Sequence, residues 1–193
     1  MSIYHELYDD VFKILQTQLP SYLTYHTPEH TAHVLEKAEF ISAHENVTGH
    51  DLLLIQIASL FHDIGFIIQN HHHEEKSCEI CTSKLHQYDF SPEDIQKICG
   101  MIMATKIPQQ PHNLLEKIVA DADLEYLGTD LFYPISRNLY REFLHYDPHL
   151  EVDRFNEIQI NFIRKHKYHT DYCKQHREGE KQKHLQELLD LKI

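Results

Sequence analysis

The chain has 193 residues, of which 41% are hydrophobic and 25% are charged, and its formal net charge at pH 7 is −12. This length and composition fit one globular domain, because no proline- or glycine-rich linker divides the sequence. The negative charge disfavours unspecific binding to nucleic acid or to an anionic membrane surface.

The residue usage predicts an all-α fold, a compact single-domain helical bundle. Glycine and proline are few, at five and seven residues, and no alternating apolar and polar run has the length of a strand. The continuous apolar runs are too short to span a membrane, and the N-terminus lacks a signal-peptide pattern. The Cys78-x-x-Cys81 pair falls inside a helical pattern, which favours free thiols in a reducing compartment. We therefore expect a cytoplasmic protein.

The first helices are marked by apolar spacing and by capping residues. An amphipathic helix is predicted from Ile3 to Leu19, and Thr27 followed by Pro28 predicts the start of a second helix. On that helix His30 lies on the apolar face, whereas His26 lies in the preceding loop. A lone inward histidine is more often a satisfied core residue than a ligand.

The stretch from Asp51 to Phe66, DLLLIQIASLFHDIGF, is apolar nearly all round, which is typical of an interior helix. We expect it to end at His62-Asp63, with Gly65 as a left-handed terminator. A buried carboxylate is costly unless a cation or strong donors meet it. A metal ion would satisfy Asp63; a hydrogen-bonded core histidine with Asp63 reaching water is the alternative.

A further helix is predicted from Gln69 to about Tyr88, and it opens on three consecutive histidines, His71 to His73. Extra metal ligation or substrate contact and a merely solvated helix start both remain open for these histidines. Ser91 then caps a helix that begins at Pro92 and ends around Thr105.

Asn113 caps a helix predicted from Leu114 to Leu127 and ended by Gly128. Its segment contains Asp121 and Asp123, and at least one of these carboxylates can reach the interior. The ordinary interpretation of both residues is that they are solvent-exposed aspartates on the surface of the helix. The presence of a His-Asp pair elsewhere in the chain, at His62-Asp63, favours a metal ligand instead.

Amphipathic helices are also predicted over 129–146 and 152–165, and a C-terminal docking stripe is formed by Leu185, Leu188, Leu189 and Leu191. Arg137 and Arg141, one turn apart, could clamp an anion, although exposed helix charges rarely do. The range 164–184 carries seven Lys or Arg against three acids, and a solvated helix face or tail explains it.

Two imidazoles and two carboxylates, from His30, His62, Asp63 and either Asp121 or Asp123, would form a mixed nitrogen and oxygen shell. Such a shell suits manganese, iron, zinc or magnesium and leaves positions open for water. In YHTPEHTAHV, LFHDIGF and IVADADLEYLG, which span roughly the first two thirds of the chain, the sequence resembles the HD-domain superfamily of metal-dependent phosphohydrolases.

The resemblance implies an HD-type helical fold with a metal-binding core at about 20–130 and a C-terminal helical extension at about 131–193. It implies His30, His62 and Asp63 as metal ligands. Because relatives usually have Ala-Asp-Leu at the last ligand, it favours Asp123, with Asp121 as second choice. In the form similar to cyclic nucleotide phosphodiesterases, the first histidine of YHxxxH is the general acid, a role that falls on His26.

The resemblance also implies hydrolysis of a small phosphorylated substrate, with a nucleotide favoured. One divalent metal ion is expected rather than two, because binuclear relatives place His-His-Glu where Ala104-Thr105-Lys106 stands. Relatives acting on the stringent-response nucleotide carry acids soon after His-Asp, and 64–68 has none. In the expected reaction Asp63 takes the proton of the attacking water, and Thr105, Lys106 and Arg137 are predicted to contact substrate.

Two other functions stay open on the sequence. One is a regulatory module that binds a metal or a nucleotide without turning it over. The other is an interaction protein that uses the basic C-terminal region. The sequence also leaves a homo-oligomer open.

Overall fold

The computed structural model describes residues 3–191, and over that range the chain is all-α, as predicted, with no strand. The helices are α1 (Ile3–Gln18), α2 (Pro28–His44), α3 (Gly49–Phe61), α4 (His73–Leu85), α5 (Pro92–Ala104), α6 (Leu114–Leu124), α7 (Phe132–Tyr146), α8 (Val152–Lys165), α9 (Asp171–His176) and α10 (Glu178–Asp190). Short 3-10 turns occupy Ile64–Ile67, His86–Tyr88 and Glu125–Gly128.

Helix α3 is central, because it packs against α2 and α5 and also touches α1 and α6. Every residue from Ile57 to Phe61 is buried. By length and hydropathy alone the Gly49–Ile67 stretch would suffice to cross a membrane, but 67% of its most apolar window is buried inside the protein. That burial is the property of a core helix, as the all-round apolar pattern predicted.

Three predicted helix starts are confirmed by their capping hydrogen bonds. The side chains of Thr27, Ser91 and Asn113 accept first-turn backbone N–H groups at 3.3, 3.1 and 3.0 Å, respectively. Proline occupies the first turn of both α2 and α5. The Thr27 cap fixes the start of α2 and so sets the inward direction of His30, which is buried.

The predicted role of Gly65 as a left-handed helix terminator is wrong. Helix α3 already ends at Phe61, and the φ angle of Gly65 is not positive. A Cβ on Gly65 would lie 1.9 Å from the carbonyl oxygen of His73, and the Gly65 N–H donates to Ser77 Oγ at 2.9 Å. Gly65 therefore permits close contact between the turn after α3 and the start of α4.

The start of α4 also differs from the prediction, since the helix begins at His73 rather than at Gln69. His72 precedes it in the left-handed conformation, with φ of 60°. The chain therefore turns sharply within the run of three histidines. His73 alone of the three lies within the helix.

The C-terminal stripe docks as predicted at Leu188, which is buried, whereas Leu191 is 69% exposed. The basic run is not wholly solvated, because Lys181 is fully buried. Its Nζ donates to the carbonyl oxygen of His166 at 3.0 Å, lies 2.9 Å from a Glu178 carboxylate oxygen and faces the Tyr168 ring. These contacts offset the desolvation cost of burying the Lys181 ammonium group.

Gly128 provides a test of close helix packing. A Cβ there would lie 2.2 Å from the carbonyl oxygen of Arg177. We expect Gly128→Ala to lower the free energy of unfolding by about 2 kcal/mol in a urea titration, because the backbone must shift to admit the methyl group.

The matched control is Gly179→Ala on α10, where nothing lies within 4 Å of the added Cβ. That substitution should raise the free energy of unfolding by about 0.5 kcal/mol, since alanine is the better helix former. Equal stabilities for the two variants would contradict this account of Gly128.

Candidate active site

Three side chains from separate helical segments converge where α3 ends. The Nε2 atoms of His30 and His62 and the Oδ1 atom of Asp123 all lie within 4.8 Å of one another. His30 Nε2 lies 3.1 Å from Asp123 Oδ1 and 3.4 Å from His62 Nε2. Helices α2 and α6 pack on each other. They thus bring His30 and Asp123 close to His62, which follows α3.

Asp63 completes this cluster. Its Oδ2 atom lies 3.1 Å from His62 Nε2 and 3.5 Å from His30 Nε2. Asp63 is 7% exposed, and Oδ2 is buried without a hydrogen bond of acceptable geometry. A desolvated carboxylate oxygen without a donor is costly unless a cation meets it.

The orientation of His62 is fixed by the backbone. Its Nδ1 atom lies 2.7 Å from the carbonyl oxygen of Ser59, so Nδ1 carries a proton and Nε2 faces the cluster, where it would offer its lone pair to an ion after losing its own proton. Burial alone would lower the pKa of His62, but the Asp63 carboxylate outweighs burial and raises the pKa to about 9. The same surroundings hold the pKa of Asp63 well below its usual range despite its burial. The cluster therefore favours positive charge, and its donor set fits a divalent metal ion.

Asp121, the second-choice ligand, is not part of the cluster. Its carboxylate accepts the backbone N–H groups of His169 at 2.9 Å and Thr170 at 2.8 Å, and the Thr170 hydroxyl at 2.6 Å. It is fully buried and ties α6 to the segment that starts α9. Asp123 alone of the two candidate aspartates faces the histidines.

The run of three histidines contributes one side chain to the site. His71 and His72 are exposed, but His73 Nε2 lies 3.4 Å from Asp63 Oδ1 and 3.6 Å from a Glu74 carboxylate oxygen. The two oxygens of Asp63 thus face different partners. The solvated interpretation holds for the first two histidines, while His73 lies at the site.

His26, the predicted general acid, is held by a carboxylate that the sequence analysis missed. Its Nδ1 atom lies 2.5 Å from Glu142 Oε1 on α7. Glu142 is 3% exposed and also accepts the backbone N–H groups of Tyr25 at 2.9 Å and His26 at 3.2 Å. Burial raises the pKa of Glu142, but the hydrogen bonds and charge of His26 lower it by more. The ring of His26 also stacks on Phe66 at 4.1 Å.

The three predicted substrate contacts lie in different places. Thr105 lines the cavity at the site, although its hydroxyl donates to the Ile102 carbonyl oxygen at 2.8 Å. Lys106 Nζ lies 2.5 Å from a Glu75 carboxylate oxygen, and Lys106 lines a neighbouring cavity instead. Arg137 is exposed on α7 and is not among the residues that line the site. The geometry therefore supports only Thr105 as a neighbour of the substrate.

The cluster opens into a cavity of about 320 Å³. His26, Asp63, His73, Glu74 and Asp123 line it at the polar end. The predicted acid His26, the predicted base Asp63 and the candidate ligand Asp123 therefore line one space that is large enough for a small substrate.

A family model of the HD domain matches residues 27–125. This chain belongs to the HD-domain family. The matched range contains all four clustered residues, His30, His62, Asp63 and Asp123. His26 lies directly before this range, and Glu142 lies well beyond its end. Comparison with curated proteins finds no matching sequence.

Two solved structures resemble this HD-domain protein. YpgQ of Bacillus subtilis in complex with ADP is 20% identical, with a TM-score of 0.63 over 98% of this chain and 96% of that one. A predicted HD superfamily hydrolase from an uncultured Thermotogales bacterium is 22% identical, with a TM-score of 0.53 over 81% and 89% of the two chains. At these identities the likeness shows the fold.

Metal content tests the cluster directly. We expect His62→Ala and Asp123→Asn to lose at least tenfold in affinity for a divalent ion, because each removes one donor atom from the shell. The measurement is metal per chain by mass spectrometry after dialysis against manganese, iron, zinc or magnesium.

Asp121→Asn is the matched control on the same helix. It should keep the metal content of the parent protein and lower only its stability, since Asp121 binds backbone groups near α9. Metal loss in Asp121→Asn with retention in Asp123→Asn would reverse the assignment.

Proposed function

We propose that this HD-domain protein is a metal-dependent phosphohydrolase that cleaves a phosphate ester of a nucleotide or a similar small phosphorylated molecule. The observation that carries the proposal is the shared cavity. One side presents the unpaired Asp63 oxygen within the cluster, and another presents His26 held by Glu142. Metal-assisted hydrolysis needs both a cation site and an acid within reach of the leaving group.

In this proposal His30, His62, Asp63 and Asp123 hold one divalent ion. Manganese, iron, zinc and magnesium all suit two imidazoles and two carboxylates. When bound, such an ion supplies Lewis-acid chemistry, since it lowers the pKa of water and withdraws charge from a phosphoryl oxygen.

The protein's own groups move the protons. Asp63 is placed to take a proton from the attacking water, because its carboxylate lies at the cluster and lines the cavity. His26 keeps its Nδ1 proton directed at Glu142, which leaves Nε2 to protonate the departing oxygen. The buried Glu142 stabilises the charged imidazole before that transfer.

The Glu142–His26 pair favours an enzyme over a regulatory module. A module that only binds a metal or a nucleotide does not need a buried carboxylate that orients an imidazole at the cavity. The complex of its structural neighbour YpgQ with ADP supports a nucleotide among the candidate substrates. The four free thiols suit the proposed location in a reducing cytoplasm.

His26→Ala tests the general acid. We expect kcat on an alkyl phosphate to fall by about 10² to 10⁴, because the alkoxide leaving group then departs without a proton. On p-nitrophenyl phosphate the loss should be much smaller, since nitrophenolate leaves readily unprotonated. The comparison uses steady-state kinetics with the metal-loaded protein, and equal losses on both substrates would contradict the assigned role.

Glu142→Gln tests the positioning of His26. The amide keeps the size of the side chain but removes the charge that stabilises a protonated imidazole. We expect kcat to fall by about tenfold or more with KM little changed. Glu142→Asp should restore part of the rate. A loss that appears in KM rather than kcat, or no recovery in Glu142→Asp, would show that Glu142 is merely structural.

A further inference from the structure

The far end of the active-site cavity is apolar and aromatic. It is formed mainly by facing side chains of α7 and α8, the two helices of the C-terminal half nearest to the site. The residues are Phe132, Leu139, Phe143, Phe155, Ile158 and Phe162.

The few polar groups near this end already have partners. The Gln159 side-chain carbonyl accepts the Ser136 hydroxyl at 2.5 Å, and its amide donates to Asn156 at 3.3 Å. The Thr105 hydroxyl is held by a backbone carbonyl. A substrate group with many hydroxyls or polar ring edges would therefore lose hydrogen bonds to water here without replacing them.

The cavity also has little positive charge of its own. Among the described residues that line it, none is Lys or Arg, and three are carboxylates: Asp63, Glu74 and Asp123. The two basic residues that the sequence predicted as substrate contacts are unsuited, since Lys106 pairs with Glu75 and Arg137 is exposed on α7. Lys165 and Lys167 line an adjoining cavity instead. One divalent ion and hydrogen bonds from the His26 and His73 side chains, which line the polar end, can meet the oxygens of a single phosphoryl group. A chain of two or three phosphates would leave charges without partners, and such charges are costly when desolvated.

We propose that the substrate is a phosphate monoester with one phosphoryl group and a bulky apolar alcohol, whose carbon part packs between α7 and α8. This inference rests on the proposed function and narrows its substrate class. Water forms the new bond to phosphorus as the bond to the alcohol oxygen breaks. The alcohol oxygen takes its proton from His26, and the proton of the water goes to Asp63, so the products are inorganic phosphate and the free alcohol.

A series of n-alkyl phosphates tests the proposal. With the metal-loaded protein, kcat/KM should rise by about fourfold for each methylene from methyl phosphate to hexyl phosphate, as apolar burial predicts. Hexyl phosphate should also exceed AMP, ADP and ATP in kcat/KM. A flat series, or a preference for ADP or ATP, would overturn the inference while leaving phosphohydrolase activity intact.

Variants on α8 locate the effect. Ile158 is half-buried and lines the cavity. In Ile158→Asn, kcat/KM should therefore rise by only about twofold or less for each added methylene. Asn161 is exposed on the same helix, and Asn161→Ala should keep the gain of the parent protein. An undiminished gain in Ile158→Asn would place the carbon chain elsewhere and contradict the proposal.

A binding measurement distinguishes failure of this inference from failure of the proposed function. If none of the esters is hydrolysed, the proposed function fails, and calorimetry with n-alkyl phosphonates still measures the cavity. Affinity that rises several-fold per methylene in the metal-loaded protein would support the apolar site. Affinity that is independent of chain length would overturn it.

Discussion

Burial of the Asp63 carboxylate at the end of α3 is the constraint on which the site depends. Helix α3 is apolar nearly all round, so it can only lie in the interior, and the residues that follow its last turn are buried with it. One oxygen of Asp63 faces His73 and the other faces the cluster without a hydrogen bond. The imidazoles that surround it offset part of the desolvation penalty.

The close approach of α4 follows from the same constraint. Gly65 admits the backbone of His73, and the Ser77 hydroxyl both accepts the Gly65 N–H and donates to the His62 carbonyl oxygen at 2.7 Å. The turn that carries His62 and Asp63 is thus held from both sides. A rigid turn allows a cation site to keep its geometry when no ion is bound.

The C-terminal half completes the site rather than merely extending it. The family match ends at residue 125, yet Glu142 on α7 binds His26 and the neighbouring backbone of the loop before α2. The apolar side of the cavity also comes from α7 and α8. The candidate ligands and His26 therefore all lie before residue 130, whereas Glu142, which holds His26, comes from the C-terminal half; the division near residue 130 stays a prediction about folding units.

The sequence predicted what local patterns encode. Caps at Thr27, Ser91 and Asn113 set the helix starts, and an apolar stripe gave the inward direction of His30. Contacts between distant segments could not be predicted in this way. Glu142 follows an arginine on an amphipathic helix, so it resembles any surface acid until the fold brings it to His26.

The two aspartates of α6 illustrate the same limit. Asp121 and Asp123 both lie in an apolar helix, and the residues alone favoured neither. Only the packing shows that Asp121 meets the backbone near α9 while Asp123 meets the histidines. Gly65 misled for a related reason: its role here is to admit the backbone of His73, which no local pattern reveals.

The negative charge of the cavity couples the binding of its two proposed occupants, the divalent ion and the phosphate ester. The described lining holds three carboxylates and no Lys or Arg, in a chain of net charge −12, so an anionic ester meets repulsion before any ion is present. A divalent ion at the cluster would offset two of these three negative charges, and a bound phosphate would in turn favour the ion. By thermodynamic linkage each must raise the affinity of the other by the same factor. On the proposed function, an acidic protein accepts an anion without a basic pocket, because the cation that would activate the phosphate would also be the charge that attracts it.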